Sequence, residues 1–204
     1  LAGVFVIASG LAIAQGPPQR NSFVERIITE ISAKNIQANV EHLASFGTRH
    51  TLSDTVSETR GIGAARRWIK SEFDRYAEKS KGRLVVEFQE SVVPPSQRVP
   101  NALKVVNVLA SLRSTSTASA SGRIIVVSGH SDTRAGNPMD AKSDAPGADD
   151  DASGVAVVLE LCRVMSAHEF DATIVFAAFA GEEQGLLGAT AYAEMSKQKG
   201  LGIE

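Results

Sequence analysis

The stretch "GHSDTRAGNPMDAKSDAPGADDDASG" (Gly129–Gly154) decides how this sequence folds. It joins the apolar run "RIIVVSGH" (Arg123–His130) to the mostly apolar run "SGVAVVLELCRVMSAHE" (Ser153–Glu169). The first run is short and β-branched, as in a strand buried on both faces; the second has the length of a helix. Between them, Asp149, Asp150 and Asp151 stand side by side just before the helix. Two carboxylates about 4 Å apart repel by roughly 4 kcal/mol at an effective dielectric of about 20. A fold tolerates that on a solvated turn, or where a cation neutralises the charge.

Outward from this segment the same alternation continues. "ATIVFAAFAGEE" reads as a second buried strand and "LLGATAYAEMSKQK" as a further helix. Upstream, "RLVVEFQE" alternates at period two, with Leu84, Val86 and Phe88 on one side, as in an edge strand. "VVNVLASL" (Val105–Leu112) is another strand, followed by a Ser/Thr/Ala-rich, hairpin-type loop, "RSTSTASASG". Nearer the start, Ser22 and Glu25 fit a capping box. A second helix follows Ser32, with Ile36, Val40 and Leu43 on one face and Gly47 as its stop. Residues 47–58, "GTRHTLSDTVSE", read as a polar loop, and a third helix carries Ala65, Trp68, Ile69, Glu72 and Tyr76 at helical spacing. The pattern predicts an α/β fold: a mostly parallel mixed sheet with helices on both faces.

Composition sets the limits. The 204 residues are 43% hydrophobic and 22% charged, enough for one domain with a real core. A net charge of −2, with no basic run, points away from nucleic acid and membrane surfaces. The one cysteine, Cys162, excludes an intramolecular disulfide framework and any thiolate-rich zinc site; its apolar helical setting predicts a buried, inert thiol. "LAGVFVIASGLAIAQG" is too short to span a membrane and ends its apolar core in Ala12-Ile13-Ala14, the pattern of a signal-peptidase site. Residues 1–14 are therefore expected to be the remnant of a signal peptide, cleaved after Ala14. That implies a secreted or periplasmic protein with no stable membrane association afterwards.

In α/β sheets, ligands bind at the C-terminal strand ends. Two polar clusters fall there: His130 and Asp132 after one strand, Glu182 and Glu183 after the next. Each is weak alone, since a strand-end histidine is commonly structural and an acidic pair suits a helix N-terminus. "DDD" is no EF-hand loop, which needs alternating oxygen ligands and a glycine at its sixth position. Together the clusters offer one imidazole and several carboxylates, the N/O ligand set of zinc. Asp132 is spaced to orient the imidazole of His130.

The motif set "GHSD…APGADDDASG…AGEEQGLLGA" resembles the secreted dizinc aminopeptidases, a group of bacterial leucyl aminopeptidase-like enzymes whose wider relatives include glutamate carboxypeptidase and the glutaminyl cyclases. The resemblance is strong over Arg123–Lys199. It implies a zinc exopeptidase-like three-layer fold, two zinc ions and a peptide substrate. It further implies His130 as a ligand of one zinc, Asp150 as the bridge between both, Glu183 as a ligand of the other, Glu182 as the general base and Asp132 as the aspartate behind the histidine. Asp149 and Asp151 are then structural, and a cis peptide is implied between Asp150 and Asp151. Two more ligands, an Asp and a His, are expected beyond Glu204, so residues 1–204 by themselves are expected to be inactive. The expected organisation is a signal remnant (1–14), a helical leader (15–82) and the N-terminal part of the peptidase domain (83–204). The rival readings are a dizinc carboxypeptidase or aminoacylase, which also uses H-x-D and a Glu pair but lacks "GADDDASG", and a non-catalytic binding module on the same fold.

Overall fold

Leu103–Leu112 and Thr173–Phe179 lie side by side in the middle of a five-stranded sheet because they carry its most apolar faces. The computed structural model of the chain describes residues 21–115 and 122–204. The expected signal remnant, and most of the Ser/Thr/Ala-rich loop, lie outside the described residues. In chain order the strands are β1 (Leu84–Val93), β2 (Leu103–Leu112), β3 (Arg123–His130), β4 (Thr173–Phe179) and β5 (Gly202–Ile203). The helices are α1 (Ser22–Glu30), α2 (Ala33–Ser45), α3 (Gly61–Ala77), α4 (Ser153–Met165) and α5 (Leu187–Gln198).

The sheet is mixed, in the order β1-β2-β4-β3-β5. β1 and β4 both run antiparallel to β2, whereas β3 runs parallel to β4 and to β5. The link between β2 and β3 is therefore not a hairpin, contrary to the sequence reading: β4 inserts between them. Two helix layers cover the sheet. Leu43 of α2, Ile69 and Phe73 of α3, and Val155, Leu159 and Cys162 of α4 pack on Val108, Ala110, Leu112, Ile174 and Phe176. On the opposite face Tyr192 and Met195 of α5 meet Leu109, Val175 and Ala177. Burial pushes the Cys162 thiol well above its ordinary range, which keeps it unreactive.

β3 is less buried than its apolar sequence predicts, and Ile125 is 38% exposed. On its far side β3 pairs, among the described residues, with Gly202 and Ile203. The start of α1 also differs. Asn21, not Ser22, is the cap: its side-chain oxygen accepts from the amides of Phe23 (2.9 Å) and Val24 (3.4 Å). Asn and Ser cap about equally well, so a neighbouring pair leaves the choice to backbone geometry.

The described residues fall into two units, residues 21–30 and Ile31–Glu204. Within the second, α2 is tied to α4 by a buried carboxylate. Glu160, 1% exposed, accepts from the Ser32 amide (2.6 Å) and the Asn35 side chain (3.3 Å). It also accepts two bonds from Arg163. Burial alone would raise its pKa, but the Arg163 guanidinium and these donors outweigh burial and lower it. A lowered pKa means that Glu160 stabilises the fold above the ordinary glutamate range and loses that effect as pH falls through its folded value. Glu160→Ala should cost about 3 kcal/mol at neutral pH, by leaving Arg163, Ser32 and Asn35 without their acceptor. Urea midpoints followed from pH 7 downwards should show the two proteins converging in acid.

Candidate metal centre

His130 is the last residue of β3, and three constraints fix where its side chain goes. The amide of Ser131 donates to Phe179 O at 2.7 Å, so β3 and β4 stay paired through the histidine. The amide of His130 donates to Asp151 Oδ2 (2.9 Å), and Asp151 Oδ1 accepts from Gly154 N (2.9 Å). One carboxylate thus fastens the strand end to the start of α4. Gly129 has no Cβ because one would lie 2.8 Å from Val155 N, so the helix start could not come this close to the strand.

The turn Ala148–Ala152 leading into α4 contains a cis peptide between Asp150 and Asp151, as the motif resemblance implies. While Asp151 is spent on backbone amides, Asp150 faces His130: its Oδ1 lies 2.9 Å from Nε2. Glu182 Oε2 lies 4.0 Å from the same nitrogen. Nδ1 of the ring is 3.2 Å from Asp132 O and 3.7 Å from Asp132 Oδ1. Burial disfavours charge on the ring, but Asp132, Asp151 and Glu182 outweigh it and raise the pKa to about 9. The surroundings of Nε2 favour positive charge.

Asp132 is fully buried and does more than the sequence suggests. Its Oδ1 accepts from the Glu182 amide (3.1 Å), and its Oδ2 accepts from the Glu183 amide (3.2 Å) and the Thr51 hydroxyl (2.9 Å). It therefore sets the glutamate turn as well as flanking His130. The other side of that turn hangs on Asn107 of β2. Asn107 Oδ1 accepts from Ala180 N (3.0 Å), and its amide donates to Gly188 O (2.9 Å).

Glu183 is brought to the same strand ends, but Arg134 Nε holds its Oε2 at 3.0 Å. Burial, with Asp150 close by, raises the Glu183 pKa, and Arg134 opposes that rise. Among the described residues, no three His, Cys, Asp or Glu side chains stand close enough together to form a ready metal cage. Of the sequence-named ligands, His130 and Asp150 touch, and Glu183 sits beside them on its arginine. In kind the donor set fits zinc, an imidazole with carboxylates and an aspartate behind the ring. His50, by contrast, is buried and occupied: its Nδ1 accepts from Leu52 N (3.0 Å) and its Nε2 lies 3.0 Å from Pro138 O.

The main residue missed from sequence is Arg49. Residues 47–58 read as a solvated loop, yet Thr48, Arg49, His50, Thr51 and Ser53 are buried. Arg49 is 1% exposed and donates to Ser131 O (2.9 Å), Leu43 O (2.9 Å), Pro146 O (2.6 Å) and Gly147 O (3.0 Å). Burial lowers its pKa to about 10, against the pull of Asp132 and Asp151, so it stays charged at neutral pH. Its guanidinium spans both ends of the long loop, next to His130 on one side and to the aspartates on the other. A loop arginine has no sequence signal that separates this role from solvation.

Comparisons with known proteins agree with this picture. The sequence profile of Peptidase family M28 matches residues 107–203. A protein from Leptosphaeria maculans described as a probable zinc metalloprotease is 44% identical over 195 residues, 96% of this chain and 44% of that protein. LapB from Legionella pneumophila superposes with a TM-score of 0.69 at 26% identity, over 92% of this chain and 45% of LapB. The Legionella pneumophila LapA aminopeptidase shares the fold, with a TM-score of 0.67 at 20% identity over 100% of this chain and 49% of LapA. The chain thus spans less than half the length of each of these relatives.

Arg49→Met should destabilise the protein by about 3–5 kcal/mol, since four carbonyls, those of Ser131 and Leu43 buried, lose a charged donor at once. Arg49→Lys should recover little, because an ammonium cannot reproduce the planar fork. Urea unfolding of the three proteins checks both.

Proposed function

We propose, on the premise that residues 107–203 place this chain in Peptidase family M28, that it acts as a zinc-dependent exopeptidase, an aminopeptidase removing N-terminal residues from peptides. The observation that carries the reading is the Asp150 carboxylate at His130 Nε2, with Glu182 4.0 Å from the same nitrogen, at the C-terminal ends of β3 and β4. Zinc is supported by the donor set and by the relative described as a zinc metalloprotease. The motif set in Gly129–Gly154 and Ala180–Ala189 resembles the aminopeptidase branch, which favours an aminopeptidase over a carboxypeptidase or aminoacylase.

His130, Asp150 and Glu183 would hold the metal, two zinc ions on the motif resemblance. Bound zinc supplies a Lewis acid for the scissile carbonyl and a water of lowered pKa. Glu182 is the group that moves the proton: its carboxylate takes one from the attacking water and hands it to the departing amine. Its main chain is fixed by Asp132 while its side chain stays 40% exposed, within reach of a substrate. Glu183, now paired with Arg134, would be freed to hold the cation if that pair opened. The leader 15–82 seats the catalytic loop through Arg49 and Thr51, and residues 1–14 direct export.

Glu182→Gln in the full-length protein should keep its zinc content and lose about 10²–10⁴-fold in kcat. Metal analysis beside turnover of aminoacyl chromogenic substrates tests this; zinc lost together with activity would make Glu182 a ligand instead. In the same assay a chain ending at Glu204 should stay inactive with added zinc. Comparable metal-dependent turnover would show that the ligand set lies within Leu1–Glu204. N-terminal sequencing of exported protein should begin at Gln15, and material retaining Val4–Ala14 would overturn the export reading.

A further inference from the structure

A cavity of about 240 Å³, lined by apolar side chains such as Ile62, Leu103 and Val105 together with several polar ones, opens between the N-terminal half of α3 and the start of β2. Its wall includes Thr51, Ser53, Thr55, Arg66 and Lys104, and no carboxylate lines it. Lys104 is engaged elsewhere, with Nζ 2.8 Å from Glu90 Oε2. Arg67, next to Arg66, spends its guanidinium on the carbonyls of Thr55, Val56 and Ser57.

Arg66 differs. It is partly buried, yet makes no hydrogen bond or ion pair with any described residue. Burial, then Arg67, lowers its pKa, and the more distant Glu90 only partly offsets them. A guanidinium carries five donors and cannot shed its charge at neutral pH, and the nitrogens of Arg66 are not fully buried, so water or a ligand in the cavity can meet them. The hydroxyls around it are donors in waiting. Ser53 Oγ already accepts from Ile62 N (2.9 Å), which leaves its own proton without a protein acceptor among the described residues. Thr55 has a hydroxyl with no partner among them.

We propose that this cavity is a binding site for a small oxyanion, a carboxylate or phosphate group held on the Arg66 fork with Ser53 and Thr55 donating to it. The planar fork matches two oxygens of such a group, and the absence of a lining carboxylate removes the main competitor. The cavity adjoins the candidate metal centre but has its own cation in Arg66, and it does not depend on the peptidase reading. The two share Thr51, which lines the cavity and donates to Asp132.

The test is the urea midpoint of the full-length protein titrated with sodium phosphate or sodium acetate, each against sodium chloride at equal ionic strength. A saturable rise is expected, since a ligand that binds only the folded state stabilises it. Arg66→Gln should weaken the apparent affinity about tenfold or more, the equivalent of one charge-assisted hydrogen bond. A response to both anions assigns the shared chemistry; a response to acetate alone or phosphate alone narrows it to that group. Equal responses in wild type and Arg66→Gln would overturn the proposal, because general salt effects or phosphate at the metal centre act on both proteins alike. Should Arg66→Gln not fold, the side-chain resonance of Arg66 in the unaltered protein replaces it. Movement on adding phosphate or acetate supports the site, and a resonance that both leave unmoved overturns it.

Discussion

The carboxylate of Asp132 is the point on which the candidate site depends. It is fully buried, and a buried charge without partners would cost several kcal/mol. Here its acceptor capacity is taken by the amides of Glu182 and Glu183 and the hydroxyl of Thr51, with His130 alongside. One side chain thus couples the end of β3, the turn after β4 and a segment about 80 residues upstream. A shift in any of the three would leave this charge unpaired, which makes their relative placement strongly specified.

Arg49 complements it with the opposite sign. It binds backbone carbonyls at both ends of the loop between His130 and Asp150, so the loop need not rely on its own irregular backbone for shape. Gly147 contributes by conformation: at φ +47° it adopts the left-handed region, and a Cβ there would collide with Thr133. The chain from Gly47 to Thr51 is therefore the seat of the loop between His130 and Asp150 rather than a connection between helices. Its isolated bridge between Thr48 and Ala145 fits that role.

The candidate metal centre has a divided character. Asp150 and Glu182 project from a rigid frame towards His130 and remain accessible, 74% and 40% exposed respectively. Glu183 is shielded and held by Arg134. Like charges gathered at one strand end are tolerated because each has a cation or backbone donor to meet. A divalent ion would replace the histidine proton and the arginine in that arrangement.

Sequence alone determined most of the elements and singled out the candidate site residues. Apolar runs of strand length and helices at 3.6-residue spacing are local signals, so β2, β4, α2, α4 and α5 are legible directly. Asp150 and the two glutamates could be singled out because the resemblance runs through three spaced motifs in fixed order. Tertiary structure decided the rest. Insertion of β4 between β2 and β3 follows from which faces pack together, and no local pattern encodes that order. The half-exposure of β3 depends on what pairs beyond it. Arg49, Thr51 and Asn107 act across separations of about 70 to 100 residues. A polar side chain in a loop reads the same whether water or a buried carbonyl meets it, so only the folded chain distinguishes the two.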